Sequence, residues 1–149
     1  MIAGGDSALR VAKEGAEDDR DGAERDLAQH NLNPDVDSLI GIASSGRTPY
    51  VLGGLAHAKS LGCLTLAVVC VHPSVIGTEG NVDYLIAPVT GPEIVTGSTR
   101  MKAGTATKLV LNMLSTGIMI KLGKTYGNLV CEPPNMLRTL KSDTKRVVW

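Results

Sequence analysis

Two short segments of this chain place hydroxyl groups, a glycine and a cation beside the start of a helix. The first is Ser44-Ser45-Gly46-Arg47-Thr48, followed at once by Pro49. Glycine lets the backbone turn its N–H groups toward a ligand, the hydroxyls add further donors, and a helix N-terminus favours negative charge. Together these are the parts of a cradle for a phosphate. The second, Thr96-Gly97-Ser98-Thr99-Arg100-Met101-Lys102, opens a longer segment in the same manner. Either one alone reads equally as ordinary helix capping, at which Ser and Thr excel; two in one small domain, each with a cation, point to anion binding. A third feature is the acidic run Glu14-Gly15-Ala16-Glu17-Asp18-Asp19. Its spacing alone describes a solvated helix face. Glycine inside a helix costs about 1 kcal/mol relative to alanine, however, and a break at Gly15 would present Glu17 to a cleft. Gly123-Lys124-Thr125 looks like the end of a P-loop, but that motif demands glycine where Ile118 stands, and the segment closes a helix instead of opening one.

The elements that must hold these segments follow from the apolar pattern. Residues 6–30 read as helix, with Ala8, Leu9, Val11 and Ala12 leading into the charged run from Glu14 to Asp26; Asn31–Asp37, with Pro34, reads as a turn. Ser38–Ala43, Cys63–Cys70 and Tyr84–Pro88 are apolar runs of strand length. Thr48 serves as N-cap and Pro49 as first residue of a helix that runs through Leu61 to Gly62. Pro73–Gly80 is a short helix or loop. The longest helix is expected from about Ser98 to Leu122, with Leu109, Val110, Met113, Leu114, Ile118 and Ile120 on a broad apolar face, stopped by Gly123 and Gly127.

Fully apolar strands alternating with helices predict an α/β fold, a parallel sheet with helices on both faces, whose ligands collect at the carboxyl ends of the strands. The three strands should be parallel, with helices starting near Pro49 and Ser98 at their carboxyl ends. Ser45, Gly46, Thr48 and Ser98 should share one cleft, with Arg47, Arg100 or Lys102 near its rim. The chain opens into a helix with no strand before it, so the sheet is expected to be incomplete at its N-terminal side, with an exposed edge or face that favours association.

Composition narrows the function classes. At 149 residues, 43% hydrophobic and 20% charged, the chain has the makings of one folded domain. Fifteen basic residues balance 15 acidic ones, and 3% aromatic content without Phe leaves neither a basic field nor stacking platforms for nucleic acid. Cys63, Cys70 and Cys131 share no ligand-like spacing with His30, His57 or His72, so neither a zinc site nor another metal is expected. No apolar run reaches the ~20 residues that span a bilayer, and no basic-then-apolar leader follows Met1. The cytoplasm is the expected location.

Taken together, IAGGDSAL at Ile2–Leu9, EGAED at Glu14–Asp18, GIASSGRTPYV at Gly41–Val51 and the long VTGSTRMKAGTATKLVLNMLSTGIMIKLGKTYGNLV at Val95–Val130 resemble the N-acetylmuramic acid 6-phosphate etherase family, whose relatives include the animal glucokinase regulatory protein. The resemblance implies a flavodoxin-like SIS (sugar isomerase) domain, partial and spanning residues 1–130, followed by an irregular tail over 131–149. It implies an amino-sugar 6-phosphate as ligand, a homodimer, and no metal or cofactor. The family cleaves the lactyl ether of N-acetylmuramic acid 6-phosphate to N-acetylglucosamine 6-phosphate and D-lactate, by elimination and then addition of water. Glu17 matches the family glutamate that acts as base at C2. Ser44, Ser45, Gly46, Arg47, Thr48, Ser98, Thr99, Arg100 and Lys102 match its substrate-binding segments.

The departures are equally specific. The family's first Ser/Thr-Gly loop and its second catalytic glutamate lie upstream of the segment matching Ile2, and Cys70-Val71-His72-Pro73-Ser74 replaces its usual Cys-Asn-Pro-Gly-Ser. A truncated member is expected, retaining the base but impaired in releasing lactate; the alternative is a non-catalytic sugar-phosphate sensor like the glucokinase regulator.

Overall fold

The computed structural model describes residues 1–130; the expected irregular tail at 131–149 lies outside them. The chain divides into two compact units, Met1–Lys108 and the residues from Leu109 onward.

The first unit begins with a single 3-10 turn, Asp6–Leu9, then a series of turns, then helix α1, Gly22–Ala28. The predicted helix over 6–30 is therefore mostly absent. Gly15, inside that range, adopts left-handed backbone (φ 78°), which a continuous right-handed helix excludes. Strand β1 (Ser38–Ile42), helix α2 (Pro49–Ser60), strand β2 (Leu64–Val68), the short helix α3 (Val75–Thr78) and strand β3 (Tyr84–Ile86) follow in the expected order.

The sheet is wholly parallel, in the order β1-β2-β3, as predicted. Register pairs Leu39 with Thr65 and Gly41 with Ala67, and the alternation of a strand puts these four residues on one face. That face carries the core: Ala43, Leu52, Leu55, Ala67, Val69 and Ile76 are buried together, with Leu39, Val51 and Leu85 packed against them. A Cβ added at Gly41 would lie 2.8 Å from both Leu55 and Val51, so this strand glycine is what lets α2 lie close on the sheet. On the other face Ile40, Ile42, Leu64 and Tyr84 remain 38%, 42%, 45% and 62% exposed. Among the described residues of this unit, the expected second helical layer does not cover these positions.

Helix α4 spans Lys102–Lys121, starting four residues later than Ser98 because Gly97 is left-handed (φ 82°) and the turn through Thr99 precedes the helix. In the second unit α4 ends at Lys121, Gly123 (φ 71°) follows it, and a two-residue antiparallel pair, β4 (Thr125–Tyr126) with β5 (Leu129–Val130), turns at Gly127. Both glycines were expected as stops; the hairpin was not.

Candidate functional site

The carboxyl end of β1 runs directly into the 44–48 loop. A cavity of about 270 Å³ opens there, lined by Ala3, Glu17, Ile42, Ala43, Ser44, Ser45, Thr48, Tyr50, Val51 and Thr99. Residues from three of the segments singled out above, far apart in sequence, thus meet at one place.

The loop is held from both sides. Cys70 N–H donates to the Ser44 carbonyl at 3.0 Å, Gly46 N–H donates to that of Ala43 at 2.9 Å, and Ile76 N–H donates to that of Gly46 at 2.9 Å. Gly46 is left-handed (φ 63°), and a Cβ there would stand 2.6 Å from the Ser74 side chain, so both conformation and space demand glycine. Thr48 has the extended backbone of an N-cap and Pro49 is the first helical residue, yet the Thr48 hydroxyl makes no capping bond. Thr48 is among the residues that line the cavity.

Glu17 is brought to the cavity by backbone contacts with α2. Tyr50 N–H donates to the Glu17 carbonyl at 3.0 Å. Three residues on, the Arg20 carbonyl lies so near Gly53 that a Cβ would come within 1.9 Å of it. The Arg20 guanidinium in turn forks onto the Glu79 carboxylate at 2.9 and 3.2 Å, and Tyr50 OH donates to Asp26 of α1 at 2.7 Å. Burial first, and then the Asp26 carboxylate, push the Tyr50 hydroxyl up to about 12. Glu17 is exposed. Gly15 is left-handed (φ 78°), and Glu17, two residues on, lines the cavity.

The start of α4 differs from the cradle read in the sequence. The Glu93 carboxylate accepts the N–H groups of Lys102 at 3.1 Å and Ala103 at 2.9 Å, and the Ala103 bond above all holds its carboxyl below the ordinary range. Lys102 Nζ donates to the Thr90 carbonyl at 2.9 Å. The helix end that was expected to receive an external anion therefore already holds one of the protein's own. Thr99 reaches the cavity from this turn, while Ser98, Gly46, Arg47, Arg100 and Lys102 are not among its lining residues. Arg47 and Arg100 are exposed. Two contributors escaped the sequence reading. Tyr50 directly follows the Thr48-Pro49 start, but its hydrogen bonds to a segment 24 to 33 residues upstream carry no local mark. Glu93 stands nine residues before the helix it caps, too far for a capping pattern.

Among the described residues no three His, Cys, Asp or Glu side chains converge as a metal site, and no helix is long and apolar enough to cross a membrane.

Residues 1–59 match the model of the glucokinase regulatory protein N-terminal SIS domain. Proteins named N-acetylmuramic acid 6-phosphate etherase are similar over far more of the chain. That of Caldanaerobacter subterraneus subsp. tengcongensis is 53% identical over 148 residues, covering 99% of this chain and 47% of the relative. The Clostridium beijerinckii protein is 56% identical over 132 residues (89% and 42%), and the Rhodopirellula baltica protein 59% over 128 residues (86% and 41%). The chain thus spans less than half the length of these curated relatives. The first match takes in residues beyond Val130, where the sequence pattern alone indicated a departure. With a parallel α/β sheet and identities above one half, the chain belongs to the N-acetylmuramic acid 6-phosphate etherase family and carries a SIS-type domain.

Proposed function

We propose that this chain supplies the phosphosugar-binding cavity and the C2 base of an N-acetylmuramic acid 6-phosphate etherase, in a SIS domain over residues 1–130. The observation that carries the reading is that Glu17 shares one cavity with Ser44, Ser45, Thr48 and Thr99. A phosphate set against the 44–48 loop meets hydroxyl donors and the N-terminus of α2, whose dipole favours negative charge. The 6-phosphate then anchors the substrate and leaves its other end for Glu17.

In the open-chain sugar the C2 proton is acidic, because the charge left by its removal spreads onto the C1 carbonyl oxygen. The Glu17 carboxylate takes that proton. The electron pair forms a C2–C3 double bond, the bond from C3 to the lactyl oxygen breaks, and lactate leaves after gaining a proton. Water then adds across the double bond, its hydroxyl going to C3 while C2 regains a proton, giving N-acetylglucosamine 6-phosphate. Among the described residues lining the cavity Glu17 is the one carboxylate. No step calls for a metal or redox cofactor. A phosphorylated sugar does not cross membranes unaided, which puts this reading in the cytoplasm. A homodimer belongs to it as well, supported by the exposed Ile40, Ile42, Leu64 and Tyr84 face.

The match to the glucokinase regulatory protein domain favours a second reading, a sugar-phosphate sensor without catalysis. A sensor has no use for a carboxylate at the sugar's reacting end, and Glu17 in the cavity favours the enzyme. Calorimetry with glucosamine 6-phosphate against glucosamine tests the binding that both readings share. Preference for the phosphorylated sugar supports it; equal affinity contradicts it.

A further inference from the structure

We infer that Glu93 is a positioning residue: by capping the first turn of α4 it sets Thr99 in the cavity. The inference rests on the phosphosugar reading above. Three observations carry it. The Glu93 carboxylate takes both Lys102 N–H and Ala103 N–H, at 3.1 and 2.9 Å, and so closes residues 93–103 into a ring through its own side chain. Within that ring the turn is continuous: Ser98 N–H donates to the Val95 carbonyl, Thr99 N–H to that of Gly97, Met101 N–H to that of Ser98, and Gly104 N–H to that of Thr99 at 2.8 Å. Third, the far side of the ring is pinned to the sheet. The Cys70 thiol donates to the Ala103 carbonyl at 3.5 Å, and Lys102 Nζ reaches the Thr90 carbonyl, while Thr90 N–H donates to that of Cys70.

Thr99 is the residue of this turn that lines the cavity. Gly97 and Gly104 flank it, and neither meets a side chain that would hold it: a Cβ at Gly97 would have nothing within 4 Å, and one at Gly104 only the Thr99 carbonyl. Side-chain packing therefore does not fix the turn at these positions, and the Glu93 cap does. The helix dipole that a ligand anion would otherwise compensate is compensated by Glu93. The division of labour follows. The start of α2 receives the ligand's negative charge, and the start of α4 presents a neutral hydroxyl, held in place by an internal carboxylate.

A double-mutant cycle on the full chain, read as calorimetric affinity for glucosamine 6-phosphate, tests this. Glu93→Ala and Thr99→Ala should each weaken binding roughly 5- to 10-fold, the worth of one hydrogen bond, and the double variant should be no weaker than either alone. Losses that multiply, or a Glu93→Ala variant with unchanged affinity, would overturn the inference. If Glu93→Ala does not fold, Glu93→Gln, which keeps one acceptor oxygen, takes its place in the cycle with the same two outcomes. Faster amide exchange at Lys102 and Ala103 in the folded variant is expected with it; unchanged exchange would contradict the cap. A wild-type chain with no preference for the phosphorylated sugar would instead overturn the functional reading, and this inference with it.

Discussion

The main-chain N–H of Tyr50 donates to the carbonyl of Glu17 at 3.0 Å, joining the first turn of α2 to the acidic segment. One bond thereby consumes a helix N-terminal donor and places a carboxylate over the loop that α2 opens from. One turn further along, the Arg20 carbonyl packs closely against Gly53.

Gly53 is the position where this docking is most easily broken. A Cβ there would meet the Arg20 carbonyl at 1.9 Å, and backbone cannot step aside as a flexible side chain can. Gly53→Ala should cost about 1–3 kcal/mol, the range of an overpacked core, and should displace Glu17 from the cavity. Gly117→Ala is the contrast: nothing lies within 4 Å of its Cβ and its φ is not left-handed, so it should stabilise by roughly 0.5–1 kcal/mol. Urea unfolding of the two variants checks both signs.

Tyr50 predicts a loss of stability at high pH. Its hydroxyl is raised from an ordinary 10.0 to about 12, so the folded chain holds that proton more tightly than the unfolded one. The contribution is complete below pH 10 and disappears as pH rises toward 12. Tyr50→Phe should flatten the urea midpoint across that window. A midpoint falling equally in both proteins would show that another group is responsible.

Asp83 predicts the acid limb. Its carboxylate accepts Thr65 N–H and Thr65 Oγ–H, both at 3.0 Å, and pairs with Lys59. The Lys59 contact first, then the Thr65 bonds, lower it from 3.8 to about 2. A lowered carboxylate stabilises above its unfolded value and loses that contribution as pH falls from about 4 toward 2. Asp83→Asn should be less stable than wild type at pH 6 and should differ little from it at pH 2, measured by the same unfolding midpoints.

What could be read from the residues divides along physical lines. The parallel sheet was legible because SLIGIA and CLTLAVVC are short, uniformly apolar runs between helix signals, and Thr48-Pro49 marks a helix start by purely local chemistry. The 44–48 loop was legible for the same reason. The helix over 6–30 was misjudged because its charged residues fit a solvated helix equally well, and the left-handed Gly15 interrupts it. The cap of the second motif was not legible, because the group that supplies it, Glu93, comes from outside the motif. Tertiary partners of backbone donors leave no periodic trace.

On the proposed function, Glu17 removes the C2 proton of a bound amino-sugar 6-phosphate. Incubation of the chain with N-acetylmuramic acid 6-phosphate in deuterated water, followed by mass or NMR measurement of deuterium at C2 alongside lactate release, tests it most directly. C2 exchange is expected in the wild type, slowed roughly 10²–10⁴-fold in Glu17→Gln as for a lost general base, with glucosamine 6-phosphate affinity little changed. Exchange at the wild-type rate in Glu17→Gln would contradict it and pass the role to another group in the cavity.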